Sequence, residues 1–430
     1  MMALGPQSVD GRFQLDRSAI AFVLSVSTPN GLGATRSLGR EGIKVVAVDH
    51  KRSAAGLRSR YCHPLVLPDP AACPEETLHG LLAAGEGLSE KGVLFPCSDA
   101  FVLFLSRYRG ELSERFSFCI PSPEVLEGMI NKRKQYELAE RIGTPLSPTF
   151  YPSTMADVDR IADRLTYPAF IKPYYSHLWY ERFGNKGFKV RDEKELMVRY
   201  QEVFSARLEA LVQSIIQGPN TNHVKVCAYY DQERGRLALF LTRKLRQYPT
   251  EFGVGTVMSS IHDDAVADIG IRFFEGIGYQ GIGSIELKLD DRDGHYKLIE
   301  LNPRLWAQNS QATAAGVNFP LVQYLDVTGQ RPAPATTYRD DIRWRDSLED
   351  IQAFWWYHLR GQISWGDLAR SWLRTDCHAY FASDDVGPAL AHVRGGSYPA
   401  QVLVGMVKRE KRGQTMVQKK RREAESLEVP

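Results

Sequence analysis

The stretch GSIELKLDDRDGHYKLIELNPR, residues 283–304, decides how this chain folds. Two apolar-rich runs, 283–289 and 295–301, flank Asp290-Asp291-Arg292-Asp293-Gly294, which predicts a β-hairpin closed by that turn. Side chains alternate along a strand, so Glu300 and Asn302 share one face, and Glu286 lies on the partner strand. Two carboxylates and a carboxamide can thus converge. Hard oxygen donors in that arrangement suit Mg2+, which takes one or two carboxylates and completes its shell with phosphate oxygens. The competing reading is a pair of solvated acids on an exposed hairpin. Against it stand Ile285, Leu287, Leu298, Ile299 and Leu301, which argue that the strands are buried on their other face.

Upstream lies a basic set. Lys132 falls at the head of an amphipathic helix predicted over 129–141, and Lys172 ends a strand, 169–172, just before Pro173. A lone lysine is usually a solvated cation. Two of them at element ends are compatible with phosphate binding. Between Lys172 and the strand 188–190, residues 174–187 read as a mobile flap, with Gly184-Asn185-Lys186-Gly187 free to bring backbone N–H groups near an anion. An ordinary hairpin turn explains that segment equally well. A helix over 193–205 and a strand over 211–216, stopped by Gly218-Pro219, come next. The run RKLRQYPTEFGVGT, 243–256, reads as a basic substrate loop or a solvated surface loop.

Further upstream the order is strand (19–26), turn (28–33), helix (34–41), strand (43–48) and Asp49, a βαβ unit. Short strands follow at 93–96 and 118–120. The first part of the chain therefore predicts an open parallel α/β domain. A GxGxxG fingerprint would need glycine at 31, 33 and 36, but position 36 is arginine. A tight βα turn is the better reading than a dinucleotide site. Downstream, Arg331-Pro332-Ala333-Pro334 marks a linker. An aromatic-rich, helix-like segment with Trp344, Trp355, Trp356, Trp365 and Trp372 follows it.

The whole has 430 residues, 54 Lys+Arg against 51 Asp+Glu, and 43% hydrophobic residues. That is the composition of a globular protein and excludes collagen-like, disordered and disulfide-scaffold classes. Residues 408–430 carry 8 basic and 4 acidic residues, so the body is close to neutral and gives no reason to expect a nucleic-acid partner. The six cysteines form no CxxC pair and read as reduced thiols. No secretory leader or membrane span is legible, which predicts a cytoplasmic protein. A homo-oligomer is left open.

Taken in order, these pieces resemble the ATP-grasp superfamily over about 19–330: TPNGLGATRSLGREGIKVVAVD, NKRKQYELAERIGTPLSPT, YPAFIKP, LVQSIIQGPN and the hairpin with ELNPR. Within it, RKLRQYPTEFGVGT and LNPRLW are similar to predicted carboxylate–amine ligases related to D-aspartate ligase. The resemblance implies an α/β fold, α+β in its ATP-binding part. A pre-ATP-grasp open parallel sheet (1–125) would be followed by an ATP-grasp domain (126–330) with a flap-bearing subdomain at 145–215 and a metal-binding subdomain at 216–330. A helical extension with a basic tail (331–430) would close the chain. It implies that Lys132, Lys172 and Lys186 hold ATP phosphates. Ser214, Ile215 and Ile216 would bond adenine beside Gln213. Glu286, Glu300 and Asn302 would hold Mg2+, replaceable by Mn2+. Arg304, with Arg243 and Lys244, would stabilise an acyl phosphate formed from a small carboxylate and attacked by an amine. Another ATP-grasp reaction (a thiol acceptor or a carboxylase partial reaction) and a nucleotide-binding regulatory protein are the rivals. Two departures stand out: the flap is aromatic, and the hinge carries Gln213 and Asn220 where many relatives have acids, which leaves ribose recognition open.

Overall fold

Every apolar run of the first hundred residues is short and nearly unbroken, the pattern of strands buried on both faces. In the computed structural model, which describes residues 15–231 and 233–395, they build a parallel sheet. Its strands are β1 (Ala21–Leu24), β2 (Val45–Asp49), β3 (His63–Val66), β4 (Gly92–Pro96) and β5 (Phe116–Ser117), in the order β3-β2-β1-β4-β5. The edge strand β3, with Pro64 inside it and both ends exposed, carries no apolar run and was not legible. The strand expected at 118–120 sits two residues earlier, as β5.

The turn expected at 28–33 is instead the first part of a helix, Pro29–Arg40. Proline at its start and the apolar Leu32 allow that helix, and the glycines serve packing. A Cβ on Gly31 would lie 2.2 Å from the Ser25 carbonyl oxygen, and one on Gly33 would lie 2.4 Å from Asn309 Oδ1. Arg36, at the position where the fingerprint needs glycine, is buried and bonded to Asp385 (Nε–Oδ2 2.9 Å).

The predicted helix 129–141 is two helices, Pro123–Ile130 and Lys132–Arg141. Asn131 separates them and caps the second, its Oδ1 accepting from the Arg133 and Lys134 amides. Lys132 is the first helical residue. A small antiparallel sheet follows: β6 (Thr149–Phe150), β7 (Ala169–Pro173), β8 (Phe188–Val190) and β9 (Ala210–Ser214), in the order β6-β9-β7-β8. Residues 174–187 contain a helix, Ser176–Phe183, whose Trp179 is fully buried among Phe183, Phe188 and Leu196. Gly187 spends its N–H on Asn185 Oδ1, and a Cβ there would meet the Ile171 carbonyl oxygen at 2.3 Å. Those glycines shape the turn into β8.

The large sheet runs β14-β13-β10-β11-β12-β15-β16, from β10 (His223–Asp231), β11 (Gly235–Tyr248), β12 (Val254–Ser260), β13 (Gly281–Asp290), β14 (His295–Asn302), β15 (Arg343–Arg345) and β16 (Cys377–His378). The basic run 243–256 is therefore strand, turn and strand rather than a loop. The hairpin turn at 290–294 forms as read, with the Gly294 amide on the Asp290 carbonyl at 2.8 Å.

The segment after 330 is helical, as expected, and also adds β15 and β16 to this sheet. Trp344 and Phe354 are buried, but Trp365 and Trp372 are about half exposed, so only part of the aromatic set packs on the core. The basic run Lys419–Arg422 lies outside the described residues. Two buried aspartates fasten the segment. Asp350 accepts from Arg246 (2.7 Å to each oxygen) and from Arg345 (2.7 Å), and Asp385 accepts from Arg36, Ser59 and the Arg60 amide. All six cysteines are free thiols. Among the described residues no helix is long and apolar enough to cross a membrane.

Candidate active site

A cleft of about 1100 Å³ opens between the small sheet and one face of the large sheet. Strand alternation selects what lines it. On β10, His223 and Lys225 face it. On β11 Lys244 faces it, while its neighbour Arg243 must point to the opposite face. On β13 it is Glu286 and Lys288. On β14 the ladder shifts between Glu286 and Leu287, so that Glu286 stands directly opposite Glu300 and Ile299 is skipped. A bulge of that kind re-aims side chains, and here Ile299 and Glu300 both reach the cleft.

Ten of the thirteen residues predicted for the site come together here: Lys132, Lys172, Lys186, Gln213, Ser214, Ile215, Ile216, Lys244, Glu286 and Glu300. The other three do not line it. Arg243 is on the wrong face. Asn302, opposite Ser284 at the strand end, is held between Glu300 and Arg304 at 3.4 Å each. Arg304 turns to Asp99 (2.6 Å), at the head of the helix after β4, and borders a small cavity against Phe95 and Cys119 instead. His223, Lys225, Lys288 and Gln308 line the cleft and were missed. The signal for two of them was there: His223 and Lys225 are polar at alternate positions of an otherwise apolar strand.

The electrostatics follow from burial. Lys172 Nζ donates to the Tyr136 hydroxyl (2.8 Å) and Gln213 Oε1 (2.7 Å), both neutral, and burial pushes its ammonium down to about 8. Tyr136 donates in turn to the Ile299 carbonyl (2.6 Å), and Gln213 Nε2 to Thr149 Oγ1 (2.8 Å), so this lysine is held by a chain of neutral partners. Lys244, its ammonium also lowered by burial, donates to Gln247 Oε1 and the Gly253 carbonyl. Lys132 approaches Glu300 only to 4.0 Å. Burial alone would raise the Glu286 carboxyl. Lys225, at 3.0 Å, with Lys244, overcomes it and holds the group ionised, well below the usual carboxylate range. His223 is pushed down to about 3 by burial and then by Lys244, so it is neutral.

The donor set fits a hard divalent cation. Glu286 and Glu300 are cross-strand neighbours, Glu286 is ionised, and two carboxylates leave the remaining positions of an octahedral shell to water or phosphate oxygens. Among the described residues no three His, Cys, Asp or Glu side chains gather into a complete protein metal site.

The fold itself is shared with solved structures. N5-carboxyaminoimidazole synthetase from Staphylococcus aureus superposes with a TM-score of 0.58 over 75% of this chain and 80% of its own, at 15% identity. Biotin carboxylase from Campylobacter jejuni, crystallised as a β,γ-ATP complex, does so with 0.58 over 74% and 72%, at 18% identity. The chain has the ATP-grasp fold. The parallel sheet of β1–β5 corresponds to its pre-ATP-grasp part, and the two later sheets to the ATP-grasp part. In sequence, the chain is 27% identical over 260 residues to D-aspartate ligase of Enterococcus faecium (strain Aus0004), a match covering 58% of this chain and 62% of that one. It is 23% identical over 297 residues to the alpha subunit of the mitochondrial methylcrotonoyl-CoA carboxylase of Oryza sativa subsp. japonica, covering 64% and 38%. The match thus spans less than two thirds of either relative. No protein-family model matches the chain.

Proposed function

We propose that this ATP-grasp protein is an ATP-dependent carboxylate–amine ligase. The observation that carries the proposal is the meeting, in one cleft, of three loosely paired lysines (Lys132, Lys172, Lys244) with the opposed carboxylates Glu286 and Glu300. The likeness to D-aspartate ligase supports the amine as acceptor. A carboxylate is a poor electrophile, because its leaving group would be oxide. Transfer of the γ-phosphoryl group makes an acyl phosphate. The amine then attacks its carbonyl, the C–O bond to phosphate breaks, and phosphate leaves with the electron pair.

Little covalent chemistry falls to the protein, so positioning and charge neutralisation dominate. Lys132, at its helix start, and Lys172, at the end of β7, would hold phosphate oxygens. The backbone of 214–216 would meet adenine. Lys244, desolvated and held by neutral acceptors, would face charge that develops on transfer. Glu286 and Glu300 would hold Mg2+, which would supply positive charge to neutralise the phosphates there. Arg304, held on Asp99 outside the cleft, is not assigned a part in the chemistry.

The fold shared with the biotin carboxylase domain of Hydrogenobacter thermophilus 2-oxoglutarate carboxylase, solved with MgADP and bicarbonate, favours one second reading, with bicarbonate as the carboxylate. One assay separates the two. ADP and phosphate release is measured with Mg-ATP plus pooled amino acids, with bicarbonate, and with neither. Release that needs an amino acid pool and is unaffected by bicarbonate is expected. Release driven by bicarbonate alone would replace the ligase by the second reading, and ATP that is neither bound nor hydrolysed would overturn both.

A further inference from the structure

The two carboxylates opposed across the hairpin are not equally free. Glu286 on β13 stands opposite Glu300 on β14, and on the other side of β13 the strand β10 places Lys225 opposite Glu286. All three reach the cleft, so one row crosses three strands as Lys225, Glu286, Glu300. Lys225 Nζ lies 3.0 Å from Glu286 Oε1, with the two side chains only 13% and 18% exposed. Glu300 is 40% exposed, and Lys132 comes only to 4.0 Å of it. One carboxylate of the pair is therefore engaged and the other is open. Lys244, close by, also donates to Gln247 Oε1 and to the Gly253 carbonyl. Lys225 makes no second ion pair or hydrogen bond among the described residues, so Glu286 alone holds its ammonium.

Charge then decides what can displace that ammonium. Lys132, Lys225 and Lys244 outnumber the two acids they surround, so a bare divalent cation meets net positive charge there. To reach Glu286 it must also take a largely buried carboxylate from its partner, which leaves an ammonium uncompensated. With ATP present both costs fall. Phosphate oxygens supply the missing negative charge, and the displaced ammonium, on a flexible stem, gains a new partner. Resting on the nucleotide reading above, we propose that Lys225 is a tethered counter-cation of the metal site: it occupies Glu286 in the nucleotide-free cleft, keeps free divalent cations out, and yields the carboxylate only to metal that comes with the nucleotide. Lys225 is thus a positioning residue, acting on the metal through Glu286.

The test titrates Mn2+ alone into the full chain without nucleotide and reads the free ion by electron paramagnetic resonance. Wild type should bind weakly. Lys225→Met, which keeps the length but not the charge, should bind at least about tenfold more tightly, and Lys225→Gln should do the same should the methionine variant not fold. Lys225→Arg, which keeps the charge, should bind as weakly as wild type. Adding Glu286→Gln to Lys225→Met should remove the gain, which assigns it to that carboxylate. Equal Mn2+ affinity in wild type and the two uncharged variants overturns the inference, and so does a gain shared by Lys225→Arg, which would trace to packing rather than charge. In either case calorimetric binding of Mg-ATP to wild type would leave the nucleotide reading intact. Absence of saturable Mg-ATP binding to wild type overturns that reading and the inference with it.

Discussion

Among the described residues seven lysines line the cleft against four carboxylates, and three of the seven lie within 4.0 Å of a described carboxylate oxygen. The C-terminal segment is fastened differently. Arg36, Arg246 and Arg345 are each hydrogen-bonded to a fully buried aspartate, Arg246 through two nitrogens, and Arg345 gives its other nitrogens to Ser371 and Thr375. The contrast is one of unspent and spent charge. A lysine ammonium on a flexible stem can change partners when an anion arrives, whereas a buried guanidinium paired with a buried aspartate is held in place, out of reach of an incoming anion. Cations of the first kind make a site, and those of the second kind make a scaffold.

The largest effect is expected on the scaffold. Asp350→Ala strands two buried guanidinium groups and should cost about 3–5 kcal/mol in a urea-unfolding measurement. A loss below about 1 kcal/mol would break the contrast by showing that those arginines are not committed. In the cleft the same kind of change should act on rate instead. Glu300→Gln, on a half-exposed side chain, should lower ADP release about 10²–10³-fold and leave the unfolding midpoint nearly unchanged. Near-wild-type turnover at ordinary Mg2+ would remove Glu300 from the site.

Lys172 sharpens the comparison through pH. Burial holds its ammonium at about 8, below the 10.5 of an unfolded lysine. The unfolded chain keeps that proton between those values when the folded one does not, so Lys172 makes the fold more stable as pH rises from about 8 to 10.5. Anion binding runs the other way, since the neutral amine attracts no phosphate. ATP affinity should fall several-fold between pH 8 and 9.5, and Lys172→Arg should flatten that profile. A wild-type affinity constant across this range would mean that Lys172 does not meet the phosphates.

The smallest effect belongs to two acids on the same helix start as Asp350. Burial raises Asp346 to about 6 and Glu349 to about 7, from 3.8 and 4.5. Across those windows the folded state holds protons that the unfolded chain has lost, so stability falls as pH rises from about 4 to 7. Glu349→Gln should leave the melting temperature unchanged near pH 4 and raise it at pH 7.5. Equal shifts at both pH values would contradict the burial of that carboxyl.

Residues with a local signature were readable. The 283–304 hairpin shows its period, its turn and its acids in one line of sequence, and Lys132 and Lys172 mark element ends. What escaped depends on partners far away in the chain. Arg36 in place of a fingerprint glycine makes sense only with Asp385, 349 residues on. Arg304 beside Asn302 looks like part of the acid cluster until Asp99 takes it. Arg243 and Lys244 look equivalent in a loop, and the strand that actually forms sends one to each face. The aromatic run 174–187 hid a helix because Trp179 packs on Phe183 and Phe188, contacts that no local pattern announces.

The central claim is that the lysine-rich cleft is a nucleotide site built around Lys172. Its most direct test is a calorimetric titration of Mg-ATP into wild type and Lys172→Met at pH 7. The account predicts saturable binding near one nucleotide per chain, weakened at least about tenfold in the variant, whose neutral side chain keeps the length but not the charge. Equal affinity in the two proteins, or no binding to wild type, would contradict it.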